Sequence, residues 1–197
     1  MNEQSLLATL SGVRLHIFHP DSQSVRAFCA SLTQLGCQVQ HSWPPEASFP
    51  AETQVLLVAI ETHYQTRLLR LFETIKHQHT PAIALADCHD ARLFPLLLQL
   101  QPAAIAEREL NPFALIVQII GSWQTAQQNS QLRIEHAARH QRKVRNERLA
   151  QAKGVLMQTF GLDESGAYHF MRTEAMNTRS SLEFTAERVL NQLQKLS

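Results

Sequence analysis

The sequence predicts an α/β domain, then one long helix, then an all-α module, and three observations carry that prediction. Up to Leu110, short apolar runs alternate with stretches of helical periodicity. From Phe113 to Phe160 there is no proline, and only Gly121 and Gly154 interrupt. Beyond residue 144, three amphipathic segments follow one another with short breaks.

The elements of the first part follow in order. Val13–His19 is short and β-rich, and Pro20-Asp21-Ser22 breaks it. Val25, Phe28, Leu32 and Leu35 then recur at helical spacing up to Gly36, a C-terminal cap residue. Cys37–Ser42 predicts a second strand, ended by Trp43-Pro44-Pro45. Val55–Ile60 is a continuous apolar run, as a strand buried on both faces requires. Leu68, Leu71, Phe72 and Ile75 line one side of a helix over 64–77. Pro81–Ala86 predicts a fourth strand, 90–100 a helix, and Ala103–Ala106 a fifth strand. Strands interleaved with helices imply a parallel, doubly wound sheet, because each parallel crossover needs a connection of helix length. The expected domains are residues 1–121, a linker helix over 122–143, and a helical module over 144–197.

Composition bounds the function. The chain has 197 residues, 44% of them hydrophobic, enough for a buried core and too apolar for a disordered chain. No run approaches 18 apolar residues, so no membrane-spanning helix is expected. The opening MNEQSLLATLSG lacks the basic start and apolar core of a signal peptide, which predicts a cytoplasmic protein. Cys29, Cys37 and Cys88 form no CxxC pair and are expected to be reduced structural thiols. The net charge of +1 hides a segregation: residues 1–130 carry −3, residues 131–153 carry +5, and residues 154–197 carry −1. A polyanion responds to the local +5 rather than to the total.

In a doubly wound sheet, chemistry belongs at the carboxyl ends of the strands. Those ends read His19-Pro20-Asp21, Ala59-Ile60-Glu61, Ala86-Asp87 and Glu107. There is no GxGxxG and no GxxxxGK[ST], which excludes the dinucleotide and P-loop signatures. Asp21, Glu61, Asp87 and Glu107 are read as solvated loop carboxylates rather than metal ligands, and no nucleophile stands at recognisable spacing from a base. His136 and His140 stand four apart without a third ligand. No enzyme, metal or cofactor is therefore expected.

The long helix starts with Asn111 as N-cap and Pro112 in its first turn. One seven-residue series runs Ile116, Trp123, Ser130, Ala137, Val144, and a second runs Ile120, Gln127, Ile134, Gln141, Arg148. These series predict a dimeric coiled coil seamed by Ile116, Ile120, Trp123, Ile134 and Ala137. Arg133, Arg139, Arg142, Lys143, Arg145, Arg148 and Lys153 follow the same helix, with only Glu135 and Glu147 among them. That pattern predicts a positive stripe with few ion pairs, suited to a phosphate backbone.

The final module is expected to bury Val144, Ala152, Val155, Leu156 and Thr159 on its first segment, which ends at Gly161. Asp163 caps a second segment that buries Ala167, Phe170, Met171 and Ala175. Ser180 and Glu183 have capping-box spacing before a third, with Leu182, Ala186, Val189, Leu190 and Leu193 inside. Met157, Met171 and Met176 are read as core filling. The third segment carries Leu182, Phe184, Thr185 and Glu187 with only Arg188 basic, a poor recognition helix for a DNA major groove.

Ala150 to Leu190 resembles the ANTAR domain of RNA-binding antitermination regulators. The resemblance lies in Ala152-Lys153-Gly154-x-Leu156-Met157, Gly161, Ala167, Met171-Arg172, Ala175-Met176 and Ala186, in order and at family spacing. SLLATL near the start and CQVQHSWPPEASF resemble the amidase-regulator members of that family, so the likeness runs through the whole chain. The resemblance implies a receiver-like first domain, a coiled-coil homodimer and a three-helix ANTAR bundle that binds hairpins of a leader mRNA and prevents terminator formation. It implies Lys153 and Arg172 as RNA contacts, with Arg145 and Arg148 as electrostatic support and Arg179 beside them. A phosphorylatable receiver needs an acceptor Asp, a hydroxyl and a Lys at three strand ends. By strand alignment those places hold Ala59, Ala86 and Glu107, and only Asp21 matches the acidic pair after the first strand. A pseudo-receiver is therefore expected, controlled by a ligand-sensing partner similar to a periplasmic binding protein kept in the cytoplasm. The alternatives are a DNA-binding response regulator and a phosphorylation-dependent receiver.

Overall fold

In the computed structural model, residues 10–193 are described. Most of the SLLATL segment lies outside them, as does the expected burial of Leu193. The elements are β1 (Arg14–Phe18), α1 (Gln23–Gln34), β2 (Gln38–Ser42), β3 (Val55–Ala59), α2 (Gln65–Gln78), β4 (Ala82–Ala86), α3 (Phe94–Leu100), β5 (Ala104–Glu107), α4 (Pro112–Phe160), α5 (Glu164–Asn177) and α6 (Leu182–Leu193). Short 3-10 turns, Thr62–Tyr64 and Ala91–Leu93, precede α2 and α3. The chain divides into two compact units, Met1–Ser130 and Gln131–Ser197.

The first unit is the expected five-stranded sheet, all parallel, in the order β2-β1-β3-β4-β5. This is the strand order of flavodoxin-like doubly wound folds. Register follows from the period-two pattern of the strands. Leu15 lies opposite Val39 and Val55, Val58 opposite Ala84, and Ala86 opposite Glu107. Leu56, Val58, Ala82 and Ala84 face one layer, made by Leu68, Leu71 and Phe72 of α2 and Leu96 and Leu100 of α3. Val55, Leu57, Ile83 and Leu85 face the other, made by Phe28 and Leu32 of α1 and Leu115, Ile119 and Ile120 of α4. Each fully buried Leu or Ile contributes about 2 kcal/mol by area, so both helical layers are fixed by the central strands.

Local signals act where the sequence places them. The Ser22 hydroxyl accepts from the Val25 amide at 3.2 Å and caps α1. Gly36, at φ +88°, follows the end of that helix in the left-handed conformation that glycine adopts without a Cβ clash. Asn111 Oδ1 accepts from the Ala114 amide at 3.2 Å and caps α4. The predicted helix over 90–100 is divided: Asp90 accepts from the Arg92 amide to cap a 3-10 turn, and α3 proper starts at Phe94, with Pro95 in its first turn. Helix α4 runs without a break through Gly121 and Gly154.

The second unit packs the last part of α4 against α5 and α6. Its core is Ala152, Leu156, Ala167, Met171, Ala186 and Val189. Gly161, at φ +64°, ends α4, and Asp163 Oδ1 accepts from the Gly166 amide at 2.8 Å to start α5. Four expectations change here. Thr159, expected inside, is exposed on the last turn of α4. Phe170 is 43% exposed and stacks on exposed Phe160, with ring centroids 6.0 Å apart. Only Met171 of the three methionines is core; Met157 and Met176 are 37% and 70% exposed. The cap of α6 is Ser181, whose Oγ accepts from the Phe184 amide at 3.1 Å, while the Ser180 hydroxyl turns to Thr178 and Thr185. Leu182 is the first helical residue, so the side chain before it is the one placed to meet the free amides.

Candidate nucleic-acid interface

The basic stripe is more paired than its own sequence implies. Arg139 and Lys143 lie 3.9 Å from Glu135 and Glu147, the i,i+4 acids of the same helix. The other partners come from α5 and α6. Arg145 Nε is 3.0 Å from Glu183, Arg148 is 4.0 Å from Glu187, and Lys153 is ion-paired with Glu164. Lys153 is the most covered of these cations, its side chain 24% exposed. Its ammonium, hydrogen-bonded to Glu164, holds that carboxyl below the ordinary glutamate value. The exposed pairs at 3.9–4.0 Å are screened by solvent and contribute little to stability, so a phosphate can displace them.

Arg172 is not drawn into these pairs. Its two sequence neighbours among the acids are both taken, Glu164 by Lys153 and Glu174 by Arg188. Among the described residues, Arg172 has no ion pair, and neither do Arg133, Arg142 and Arg179. Arg179 holds φ +49° in the turn between α5 and α6, its amide donating to Met176 O at 3.2 Å. Burial of Ala167, Met171 and Ala175 orients α5 and leaves Arg172 exposed on its flank.

The five residues expected in a coiled-coil seam fall into two groups. Ile120 is buried in the sheet's second layer, and Ile116 and Trp123 pack against that layer within the first unit. Ile134 is 68% exposed and Ala137 is exposed, both in the second unit. Sequence periodicity cannot distinguish a seam from a face that docks on its own sheet, because both bury one stripe of a helix.

At the carboxyl edge of the sheet, Ala59 and Ala86 close β3 and β4 with no solvent exposure. Glu107 ends β5 and accepts a 3.4 Å hydrogen bond from the Cys88 amide. Asp21 is ion-paired with Arg26, on α1. A carboxylate–cation pair does cross this edge, at places the strand alignment does not select: Glu61, beyond β3, pairs with Arg108, beyond β5, and with His63 at 3.1 Å. His19 fills the end of β1; its Nδ1 lies 2.9 Å from Pro20 O, and His41 Nε2 lies 2.8 Å from its carbonyl. Desolvation lowers the His19 pKa, as it does that of His16. His19, Ser22, Asp87, Glu107 and Arg108 border an open cavity of about 820 Å³. No cluster of three metal-ligating side chains occurs among the described residues, and no described helix is long and apolar enough to cross a membrane.

A parallel, doubly wound α/β unit is followed by a compact helical one. The response regulator StyR has a similar structure, with a TM-score of 0.60 and 12% identity, covering 90% of this chain and all of that one. A fusion carrying the yeast Spc42 trimeric coiled coil matches 70% of this chain and 97% of its own, with a TM-score of 0.50 and 11% identity. The chain belongs to the AmiR family: the family described as "AmiR, N-terminal" matches residues 13–122, more than half of its length, and the ANTAR domain matches residues 135–190. The aliphatic amidase regulator of Pseudomonas aeruginosa is 22% identical over 190 residues, 96% of this chain and 97% of that one. The family is one of regulators, in agreement with the resemblance drawn from Ala150–Leu190.

Proposed function

We propose that the chain is a cytoplasmic transcription antiterminator that binds hairpins of a leader mRNA through its ANTAR module and keeps the terminator from forming. The single observation that supports this best is Arg172: an ANTAR-motif cation left without a carboxylate while its neighbours are paired. A guanidinium held exposed on a packed helix is ready for a phosphate or a base edge at no cost in broken ion pairs. Lys153, Arg145 and Arg148 exchange their carboxylates for phosphate as the RNA docks, and Arg179 reaches it from the turn.

The protein acts as a homodimer, joined along α4 where Ile134 and Ala137 are exposed. Its first domain is a pseudo-receiver. Ala59 has no oxygen to phosphorylate, and the Glu61–Arg108 pair occupies the edge where an acceptor would work. Control then passes to a protein partner, a ligand sensor similar to a periplasmic binding protein, that sequesters the dimer until its small molecule arrives. The amidase regulator likeness supports this.

The receiver-like fold shared with StyR is also compatible with a second reading, a DNA-binding response regulator. Helix α6 counts against it: its one basic residue, Arg188, is paired with Glu174, so no free cation faces a phosphate backbone where a recognition helix would enter. A fluorescence titration separates the two. Purified full-length protein is titrated against a transcript of the leader upstream of its own gene, with the same sequence as duplex DNA, at two salt concentrations. Tight RNA binding that survives salt and fails with DNA is expected; equal, salt-labile binding to both refutes the antiterminator reading.

A further inference from the structure

We propose that Tyr168 is the base-stacking residue of the RNA-contact face, an inference that rests on the antiterminator reading. Glu164, Tyr168 and Arg172 stand at i, i+4 and i+8 of α5 and so form one row on its surface. The buried row Ala167, Met171, Ala175 lies beside it and fixes which way it faces. Lys153 closes one end of the row through Glu164, and Arg172 stands unpaired at the other. With the Lys153–Glu164 pair on one side and Arg172 on the other, Tyr168 keeps 46% of its surface exposed. Among the described residues its ring has no aromatic or cation–π partner and its hydroxyl has no hydrogen bond. An exposed ring flanked by cations is what an unpaired base needs: a π-face to stack on and charges to hold the phosphates on either side.

The other exposed aromatics of this unit do not meet that description. Phe160 and Phe170 stack on each other, and Glu174, one turn beyond Phe170 on α5, is neutralised by Arg188. Phe184 is 58% exposed, but the cation one turn beyond it on α6, Arg188, is already paired with Glu174. Among the described residues of this unit, only Tyr168 combines a free ring with an unpaired cation on the same row.

The test uses full-length protein and the leader transcript from upstream of its own gene, comparing wild type, Tyr168→Ala and Tyr168→Phe. Loss of a stacked base weakens binding by about ten- to a hundredfold. Tyr168→Ala is expected to show that loss with the salt dependence unchanged, because no charge is removed, and Tyr168→Phe to bind within about threefold of wild type. Irradiation of the wild-type complex should leave a nucleotide adduct on the peptide containing Tyr168. The inference alone is overturned if wild type and Tyr168→Ala bind the RNA equally, or if Tyr168→Phe loses as much as Tyr168→Ala, which would assign the hydroxyl rather than the ring. A wild-type protein that does not bind the RNA overturns the antiterminator reading and the inference together.

Discussion

Replacing Leu156 with alanine should strongly destabilise the ANTAR module and leave the sheet domain intact. Leu156 is 1% exposed in a core whose other members are Ala152, Ala167, Met171, Ala186 and Val189. Three of those five are alanines with no exposure, and a methyl fixed to a helix backbone cannot swing into a void. Only Met171 is flexible enough to fill it partly. The cost is therefore in the middle of the leucine-to-alanine range, about 3–4 kcal/mol. A unit the size of Gln131–Ser197 has a total stability of about 3–10 kcal/mol. One substitution thus removes a large share of it. Hydrogen exchange read by mass spectrometry checks this by peptide. Protection across residues 150–190 should fall by about two hundred- to eight hundredfold, while peptides from β1, β3 and β4 keep theirs. Met157→Ala, at a neighbouring but 37% exposed position, is the control and should change protection little. If Leu156→Ala exchanges like Met157→Ala, the assigned core is wrong, and with it the orientation of α5 that exposes Arg172.

Arg172→Ala should weaken leader-RNA binding and flatten its dependence on salt by about 0.7 in log–log slope, the share of one released counterion; an unchanged slope would remove Arg172 from the phosphate contacts. Radiolabelled acetyl phosphate should leave the wild-type chain unlabelled, because Ala59 offers no oxygen, and Ala59→Asp is the least change that could introduce an acceptor; a labelled wild type ends the pseudo-receiver reading. Acid should destabilise the sheet domain through His16 and His19. Burial lowers both pKa values from about 6.5, so the unfolded chain takes up protons first, and stability that is complete above pH 6.5 is lost as pH falls through the folded values. The denaturation midpoint followed by Trp43 and Trp123 fluorescence should therefore drop between pH 7 and 5, less so in His16→Leu; a midpoint independent of pH in that range contradicts the buried, neutral state of these rings.

Much of the architecture is legible in the chain because its determinants are local or periodic. Val55–Ala59 must be buried on both faces, since it has no polar side to offer, and it becomes a central strand. Ser22, Asn111 and Asp163 each cap the helix they precede, because a cap needs only a short polar side chain and the next three amides. The ANTAR landmarks are legible for a similar reason: Ala152, Ala167 and Ala186 are small where three helices meet. Phe170 was the misleading residue. Helical spacing groups it with Met171, yet it falls on the flank of α5 and finds Phe160 instead.

By itself the sequence determined the strand order's raw material and the family, which follow from backbone preferences and from which residues avoid water. Only the tertiary structure decided which charges cancel. Glu183, Glu187 and Glu164 are remote in sequence from the cations they meet, Glu61 reaches Arg108 across the strand ends, and Ile120 lies in its own domain's core. Coulomb attraction and apolar contact depend on distance in space, and a linear spacing specifies that distance only along a single helix or strand. Arg172 became a free cation of this face, and Tyr168 a free ring beside it, through the pairings of neighbours that the chain brings together only when folded.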